Sequence, residues 1–242
     1  MREILAHVTE SQPSCPYGTG RECVIETCLM TGVPPGEYEI LLERGWRRFG
    51  ASYFRPVCPE CTACVSLRVS ADRFRFRRRH RRALRRLEAY RVVLGPPRFD
   101  AERLRLHRRW FDARRASRGW DPADLSGKAY ASVFCRPEPV AWEIACYLGD
   151  RLAAVSLTDI TPGALSAVYF YYDPDDARFS PGTFNILFHL QLALRTGRPW
   201  VYLGYHVATC PSMAYKADFR PHERLEGRPG EDDTPRWIAV EG

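Results

Sequence analysis

The stretch that decides the fold is VAWEIACYLGDRLAAVSLTDITPGALSAVYFYY, residues 140–172. It contains three mainly apolar runs, at residues 140–148, 152–159 and 165–172. Gly149-Asp150 and Thr161-Pro162-Gly163 separate these runs, and both are typical of tight turns between strands. The pattern therefore predicts three consecutive strands that pair as an antiparallel meander.

The segments on either side extend the meander into an alternation of helices and strands. Residues 90–94 predict a short strand, and the apolar periodicity of residues 101–116 predicts a helix. After the meander, Gly182 opens an amphipathic stretch that predicts a second helix, and residues 200–203 predict another strand. The order is strand, helix, three strands, loop, helix and strand, which is an α+β order. The acyl-CoA N-acyltransferase (GNAT-like) fold shares this order.

The N-terminal part has a different composition. Residues 12–70 are rich in Cys, Gly and Pro and contain a predicted helix near residues 37–44 and a predicted strand at residues 65–69. An Arg-rich stretch follows and becomes helical in pattern towards residue 86. We therefore expect three segments: a Cys-rich N-terminal domain, residues 1–90, that ends in an Arg-rich helix; a GNAT-like domain, residues 91–225; and a polar tail, residues 226–242.

The overall composition is that of a globular protein. Of the 242 residues, 45% are hydrophobic, 12% aromatic and 27% charged, which excludes a disordered or collagen-like chain. No apolar run approaches the roughly 18 residues of a membrane helix, and the N-terminal MREILAHVTE lacks the apolar stretch of a secretory signal. These features predict a soluble, cytoplasmic protein with no membrane partner.

The net charge of +7 is distributed unevenly along the chain. Residues 73–118 contain 18 Arg, no Lys and four acids, a net charge of +14, so the other residues together carry −7. Most charge runs are solvated faces, but salt bridges along a helix cannot neutralise a run of one sign. Guanidinium groups pair well with phosphate oxygens, so the run predicts a nucleic-acid partner.

Three of the nine cysteines are closely spaced. Cys58, Cys61 and Cys64 lie three residues apart and can converge on one cation. Cys15 is the best candidate for a fourth ligand, with Cys23 and Cys28 behind it. Zinc and an iron–sulfur cluster both suit such ligands. The alternative is a set of reduced thiols without a metal.

Two further positions could carry chemistry. The loop at residues 178–183 leads into a helix N-terminus, where an acetyltransferase would bind the pyrophosphate of CoA, although Gly182 is the only glycine there. Asp159 ends an apolar strand and could face a cleft, or could equally be a turn residue.

Several strings, taken together, carry a family resemblance. They are Cys15-Pro16-Tyr17, Leu42-Glu43-Arg44-Gly45-Trp46-Arg47-Arg48, residues 53–64, residues 79–86, Leu165-Ser166-Ala167-Val168-Tyr169, Tyr172-Asp173-Pro174, Tyr202-Leu203-Gly204-Tyr205 and Met213-Ala214-Tyr215-Lys216. The chain resembles the aminoacyl-tRNA–protein transferases of the arginyltransferase family. It is most similar to the bacterial branch, which transfers leucine to proteins with N-terminal Asp or Glu.

The resemblance implies a GNAT-like domain that holds the aminoacyl end of a charged tRNA, with the smaller N-terminal domain packed on it. It implies catalytic roles for Asp159 and Lys216, with Asp159 as a base for the attacking amine. Substrate-binding roles fall to Tyr169, Tyr205, Tyr215 and Arg220, where Lys216 or Arg220 would select an acidic N-terminal residue. Metal-ligand roles fall to Cys15, Cys58, Cys61 and Cys64, although transfer itself requires no cofactor.

The Arg-rich helix would bind the tRNA acceptor stem through Arg77, Arg78, Arg81, Arg82, Arg85 and Arg86. The expected partners are therefore an aminoacyl-tRNA and proteins with an acidic N-terminal residue, in the N-degron pathway. Leucine and arginine both remain open as the transferred residue. Two other classes also remain open: a CoA-dependent N-acetyltransferase, and a non-enzymatic, metal-containing RNA-binding protein.

Overall fold

A computed structural model describes residues 2–18, 20–85 and 88–242 and arranges their strands in two sheets. The strands are β1 (Glu3–Gln12), β2 (Cys23–Thr31), β3 (Arg47–Phe49), β4 (Ser52–Pro56), β5 (Val65–Ser70), β6 (Tyr90–Gly95), β7 (Ala141–Leu148), β8 (Arg151–Ile160), β9 (Ala164–Tyr172), β10 (Trp200–His206), β11 (His222–Leu225) and β12 (Trp237–Val240). The small sheet has the order β1-β2-β4-β3, and the large sheet has the order β12-β11-β5-β10-β9-β8-β7-β6.

The helices lie between these strands. They are α1 (Pro35–Glu43), α2 (Arg78–Arg85), α3 (Ala101–Arg118), α4 (Gly127–Phe134), α5 (Pro181–Arg195) and α6 (Pro211–Ala214), with 3₁₀ turns at Pro174–Phe179 and Tyr215–Asp218. The mixed α/β architecture agrees with the sequence prediction. Helix α4 was not predicted, because residues 117–138 have the composition of a loop. Ser126 caps that helix by accepting a hydrogen bond from the amide of Ala129 at 3.1 Å.

The predicted meander is present as β7, β8 and β9, which pair antiparallel in chain order. Strand β10 then pairs parallel with β9, but only from Trp200 opposite Ala164 to Tyr202 opposite Ser166. On its other side, β10 pairs antiparallel with β5, which comes from the Cys-rich part of the chain. The large sheet thus contains strands from each of the three predicted segments, since residues 226–242 contribute β12.

Helices cover both faces of the large sheet. The Thr158 hydroxyl of β8 contacts the buried His189 of α5 at 2.7 Å, which places α5 on one face. The neighbouring residue, Leu157, points to the opposite face together with its pairing partner Tyr169. On that second face Tyr169 and Tyr171 pack against rings from α3 and α4. Apolar side chains are therefore buried on both faces of the large sheet.

One buried ion pair joins the two sheets. Arg48 of β3 donates two hydrogen bonds to the carboxylate of Asp159 of β8, and its Nη1 donates to the carbonyl of Gly50 at 2.7 Å. Arg48 is 5% exposed and Asp159 is 1% exposed. Burial raises the pKa of the Asp159 carboxyl, and the Arg48 guanidinium opposes that shift. The pair is therefore a structural connection between β3 in the small sheet and β8 in the large sheet.

Removal of either partner should destabilise the protein strongly. We expect Asp159→Leu or Arg48→Met to lower the free energy of unfolding by about 3–5 kcal/mol, because each leaves a buried charge without a partner. The double variant Arg48→Met/Asp159→Leu should lose much less than the sum of the two single losses. Urea unfolding of the four proteins measures this, and additive losses would contradict the proposed coupling.

Candidate active site at one edge of the large sheet

The ends of several strands meet at one edge of the large sheet. Strands β9 and β10 run parallel, so Tyr172 and His206 end at the same edge. Because β5 is antiparallel to both β10 and β11, the start of β5 and the end of β11 lie there too. Clefts at such edges are common binding sites in sheets with parallel strands. Side chains at and after these strand ends therefore come together at this edge.

The N-terminus of α5 forms the first part of this site. Ser180 precedes the helix with a positive φ of 54°, and its side chain does not cap the helix. The Tyr215 hydroxyl lies over Gly182, where an added Cβ would be 3.3 Å from the oxygen. A cavity of about 290 Å³ lies beside this turn, and its polar lining includes Ser180, Thr183, Tyr215, Arg79, Arg82 and Asp218. Two guanidinium groups face one carboxylate in this lining, and together with the helix N–H groups they make the cavity suitable for an anion.

Lys216 lies next to Tyr215 and forms the second part. Its Nζ donates to the carbonyl of Tyr205 at 2.8 Å and contacts the Met213 sulfur at 3.5 Å. The neighbouring Gly204 has a φ of 75°, a conformation that favours glycine, and a Cβ there would be in ordinary van der Waals contact with Nζ, at 3.8 Å. Burial lowers the pKa of the Lys216 ammonium to about 8, and the nearby Arg47 guanidinium adds to the effect.

The hydroxyl of Tyr205 is already engaged with the small sheet. It donates to the carbonyls of Gly45 and Phe54, at 2.8 and 3.3 Å. The buried Arg47 lies over the rings of Tyr202 and Tyr205, 5.3 and 5.5 Å from their centroids. Tyr205 therefore presents its carbonyl to Lys216, while its ring and hydroxyl fix the end of β10 against the small sheet.

Tyr169 has different surroundings. Its ring stacks on Phe134 at 4.9 Å and contacts His107, whose Nε2 is 3.4 Å from the Tyr169 hydroxyl. In the described part of the chain, no ring contact or hydrogen bond joins Tyr169 to Tyr205. Tyr169 and Tyr205, which the resemblance assigns to substrate binding, are thus not in direct contact.

Neither Asp159 nor Arg220 lines the cavity at the N-terminus of α5. A base that acts on a substrate amine needs a free carboxylate, whereas both oxygens of Asp159 bind Arg48 in the interior. The base role predicted for Asp159 is therefore not favoured by its placement, and the residue instead joins the two sheets. Arg220 is exposed, and its Nε donates to the carbonyl of Ala217 at 3.3 Å.

The predicted tRNA-binding arginines lie on and just before α2. Arg77, Arg78, Arg81, Arg82 and Arg85 are all exposed, while His80 packs inward on Phe74. Within residues 77–85, no arginine side chain forms an ion pair with a described carboxylate. Arg86 lies outside the described residues. The exposed charge of this helix is therefore available to a polyanion.

The predicted metal ligands do not form a metal site. The Cys58 sulfur accepts from the amide of Val24 at 3.3 Å and contacts the Val24 carbonyl at 3.6 Å. Burial raises the pKa of Cys64 to about 12, and the nearby thiols of Cys15, Cys58 and Cys61 add to the effect. Across the described ranges, however, no three His, Cys, Asp or Glu side chains are arranged to hold one ion. The predicted zinc or iron–sulfur site is therefore not supported.

The sequence predicts no membrane partner. The relevant property of the helices is their length and apolar character. Among the helices of the described residues, none combines the length and the apolar character that a membrane span requires.

Comparisons with known proteins identify the family. Residues 13–82 match the family model described as the N terminus of arginine-tRNA-protein transferase, and residues 102–226 match the model of its C terminus. An aspartate/glutamate leucyltransferase of Halorhodospira halophila is 41% identical over 218 residues, which cover 88% of this chain and 91% of the relative. One of Campylobacter jejuni is 35% identical over 217 residues, which cover 89% and 91%.

Solved structures show a weaker likeness. The C-terminal domain of a putative lysylphosphatidylglycerol synthetase from Agrobacterium fabrum has a TM-score of 0.43 and 14% identity, over 88% of this chain and 66% of that one. FemX has a TM-score of 0.42 and 10% identity, over 69% of this chain and 59% of that one. The family assignment rests on the sequence matches alone.

These matches define an aminoacyltransferase. The chain belongs to the arginine-tRNA-protein transferase family, which confirms the resemblance drawn from its motifs.

Sequence reasoning missed the roles of Arg47 and Arg48. Both belong to the quoted string Gly45-Trp46-Arg47-Arg48, but no role was derived for them. In a chain with 36 basic residues, two more arginines look like surface residues. The one local signal is their position between Trp46 and Phe49, which indicates a buried strand with charged members.

The lowered pKa of Lys216 is directly testable, because Lys128 and Lys216 are the only lysines in the chain. After reductive ¹³C-methylation, NMR should show a lysine signal that titrates near pH 8, well below the ordinary value of about 10.4. Lys216→Arg should remove that signal and so assign it. If the signal that Lys216→Arg removes titrates near 10.4 instead, Lys216 is well solvated.

Proposed function

We propose that this protein transfers leucine from leucyl-tRNA to the α-amino group of proteins that begin with Asp or Glu. The observation that carries the proposal is the juxtaposition of the cavity at the N-terminus of α5 with Tyr215-Lys216 at one sheet edge. The relatives named aspartate/glutamate leucyltransferase support leucine as the transferred residue and acidic N-termini as acceptors. A charged tRNA as the donor supports a cytoplasmic location.

The reaction first requires that the protein binds the 3′ end of the tRNA. The cavity at the start of α5 offers backbone N–H groups and the guanidinium groups of Arg79 and Arg82. Phosphates bind well at such a terminus because the helix dipole and the unpaired N–H groups both favour negative charge. The exposed arginines of α2 continue this positive surface and suit the phosphate backbone of the acceptor stem.

The reaction also requires stabilisation of the charge that develops when the amine attacks the aminoacyl ester. The neutral amine of the acceptor attacks the ester carbonyl and forms a tetrahedral intermediate with a negative oxygen. Collapse of the intermediate forms the amide, and the 3′ oxygen of the tRNA leaves and takes up a proton. Lys216 still has N–H groups that are not bonded to Tyr205, and we assign them to the developing oxyanion.

A dedicated base is not needed for this reaction. A terminal amine has an ordinary pKa of about 7.7–8.0, so a substantial fraction is neutral near pH 7.5. The ester is already activated, so positioning and charge stabilisation supply most of the acceleration. Asp159 then acts as a positioning residue through Arg48, and Tyr215 and Tyr205 act by holding Lys216 and the α5 turn in place.

The order of strands and helices also supports a more specific architecture. The order from β6 to β10, with α3 and α4 on one face and α5 on the other, supports a GNAT-like transferase domain. The small sheet and α1, with the cysteine-rich loops, would form the smaller N-terminal domain packed on it. No cofactor enters the reaction as written.

A transfer assay tests the function. Purified protein, [¹⁴C]Leu-tRNA or [¹⁴C]Arg-tRNA, and peptides that begin with Asp, Glu, Asn or Lys are combined, and labelled peptide is counted. We expect labelling with Leu-tRNA and the Asp and Glu peptides. Labelling with Arg-tRNA instead would make the protein an arginyltransferase, and no labelling with either donor would overturn the proposal.

The Arg-rich helix should dominate the electrostatic part of tRNA binding. The triple change of Arg78, Arg81 and Arg85 to Gln should weaken binding and flatten the dependence of log K on log salt, by about 0.7–0.9 for each phosphate that is no longer neutralised. Arg195→Gln, at the far end of α5, is the matched control. A filter-binding titration with unchanged affinity and slope would remove α2 from the tRNA interface.

A further inference from the structure

A second cavity opens at the same sheet edge, between the large and the small sheet. Its volume is about 280 Å³, and its walls come from the start of β5, the ends of β10 and β11, and the end of β4. Three arginines line it: Arg44, Arg55 and Arg228. None of its lining residues is an Asp or a Glu. Among the described residues, the lining of the cavity therefore carries positive charge and no carboxylate.

The three guanidinium groups are held in place mainly by neutral partners. Arg44 Nε donates to the carbonyl of Gly230 at 3.0 Å, and Arg55 Nη1 donates to that of Pro229 at 2.8 Å. Arg228 donates to the carbonyl of Cys61. Of the three arginines, only Arg55 pairs with a described carboxylate: its Nε lies 2.6 Å from Oε2 of Glu26. Carbonyls orient the guanidinium groups without neutralising them, so charge and unused N–H donors remain for a ligand.

The cavity adjoins the proposed reaction site. Tyr205 lines it, and the carbonyl of the same residue accepts the hydrogen bond from Lys216. On the other side, Tyr215 lies over the N-terminus of α5. The segment from residue 205 to residue 216 thus contributes Tyr205 to the positive cavity and Tyr215 to the proposed phosphate site.

We propose that this cavity binds the side-chain carboxylate of the acceptor's N-terminal Asp or Glu. The inference rests on the proposed function and replaces Lys216 and Arg220 as the groups that recognise the acidic side chain. Guanidinium groups bind carboxylates through charge-assisted, often bidentate hydrogen bonds, which a neutral amide cannot match. A cavity of this size accommodates one short side chain, and Tyr205, which lines it, also accepts the hydrogen bond from Lys216.

The decisive measurement is the preference for Asp over Asn at the acceptor's N-terminus, because the two side chains are nearly isosteric. In wild-type protein, kcat/KM for an Asp peptide should far exceed that for the matched Asn peptide. Arg228→Gln should reduce kcat/KM for the Asp peptide by about 10- to 100-fold, mainly through KM, and leave the Asn peptide little affected. Leu-tRNA binding should stay unchanged, since Arg228 does not line the α5 cavity.

Two further variants complete the test. Arg55→Gln should lower the Asp-to-Asn ratio in the same way, which keeps the inference falsifiable if Arg228→Gln is poorly folded. Arg236→Gln is the matched control, because Arg236 is 74% exposed, pairs with Glu226 and does not line the cavity. Its ratio should equal that of the wild type.

The outcomes separate the two proposals. If wild-type protein labels no peptide, the proposed function is wrong. If wild-type protein transfers leucine, and the folded Arg228→Gln and Arg55→Gln variants both retain the wild-type Asp-to-Asn ratio, this cavity is not the acidic-residue site. A fall of the ratio in both variants but not in Arg236→Gln supports the assignment.

Discussion

The buried ion pair between Arg48 and Asp159 links β3 of the small sheet to β8 of the large sheet. Taking two charges out of water is costly, and here the cost is offset by two hydrogen bonds between the partners and by the carbonyl of Gly50. The arginine-lined cavity and the contacts of the Tyr205 hydroxyl both depend on the docking of the two sheets. The arginine-lined cavity exists only between the sheets, and Tyr205 reaches the carbonyls of Gly45 and Phe54 only when the small sheet is docked.

The second constraint is the brief parallel pairing of β9 and β10. Their ladder stops after Tyr202, so the two strands end at the same edge without being hydrogen-bonded to each other. The chain that follows β9 supplies the N-terminus of α5, and the chain that follows β10 supplies Tyr215 and Lys216. The proposed donor site and the proposed catalytic amine are therefore adjacent because of topology, although they are more than 30 residues apart in the chain.

Local patterns were sufficient to predict much of the fold. The meander, α3, α5 and α1 all have clear periodicity or turn residues, and the structure contains each of them. Strand β1 was missed because nearly all its residues are exposed, so it lacks the alternation that a half-buried strand shows. The site was harder to predict. Lys216 was found by its motif, but the partner of Asp159 is 111 residues away, and no local spacing indicates that pairing.

Apart from buried side chains such as Arg48, arginine serves two physical purposes in this chain, and the net charge conceals the difference. The arginines of α2 are exposed and form no ion pair with a described carboxylate, so their attraction to a polyanion is long-range and weakened by salt. Arg44, Arg55 and Arg228 lie outside the run of +14 and are oriented by backbone carbonyls inside a cavity. Arg44 and Arg55 are partly buried and Arg228 is exposed, and the fixed geometry of the three favours selection of one carboxylate over general attraction to anions. A transferase that binds a large tRNA and also distinguishes Asp from Asn, as proposed above, needs both arrangements, and the segment from Tyr205 to Lys216 contributes to both cavities.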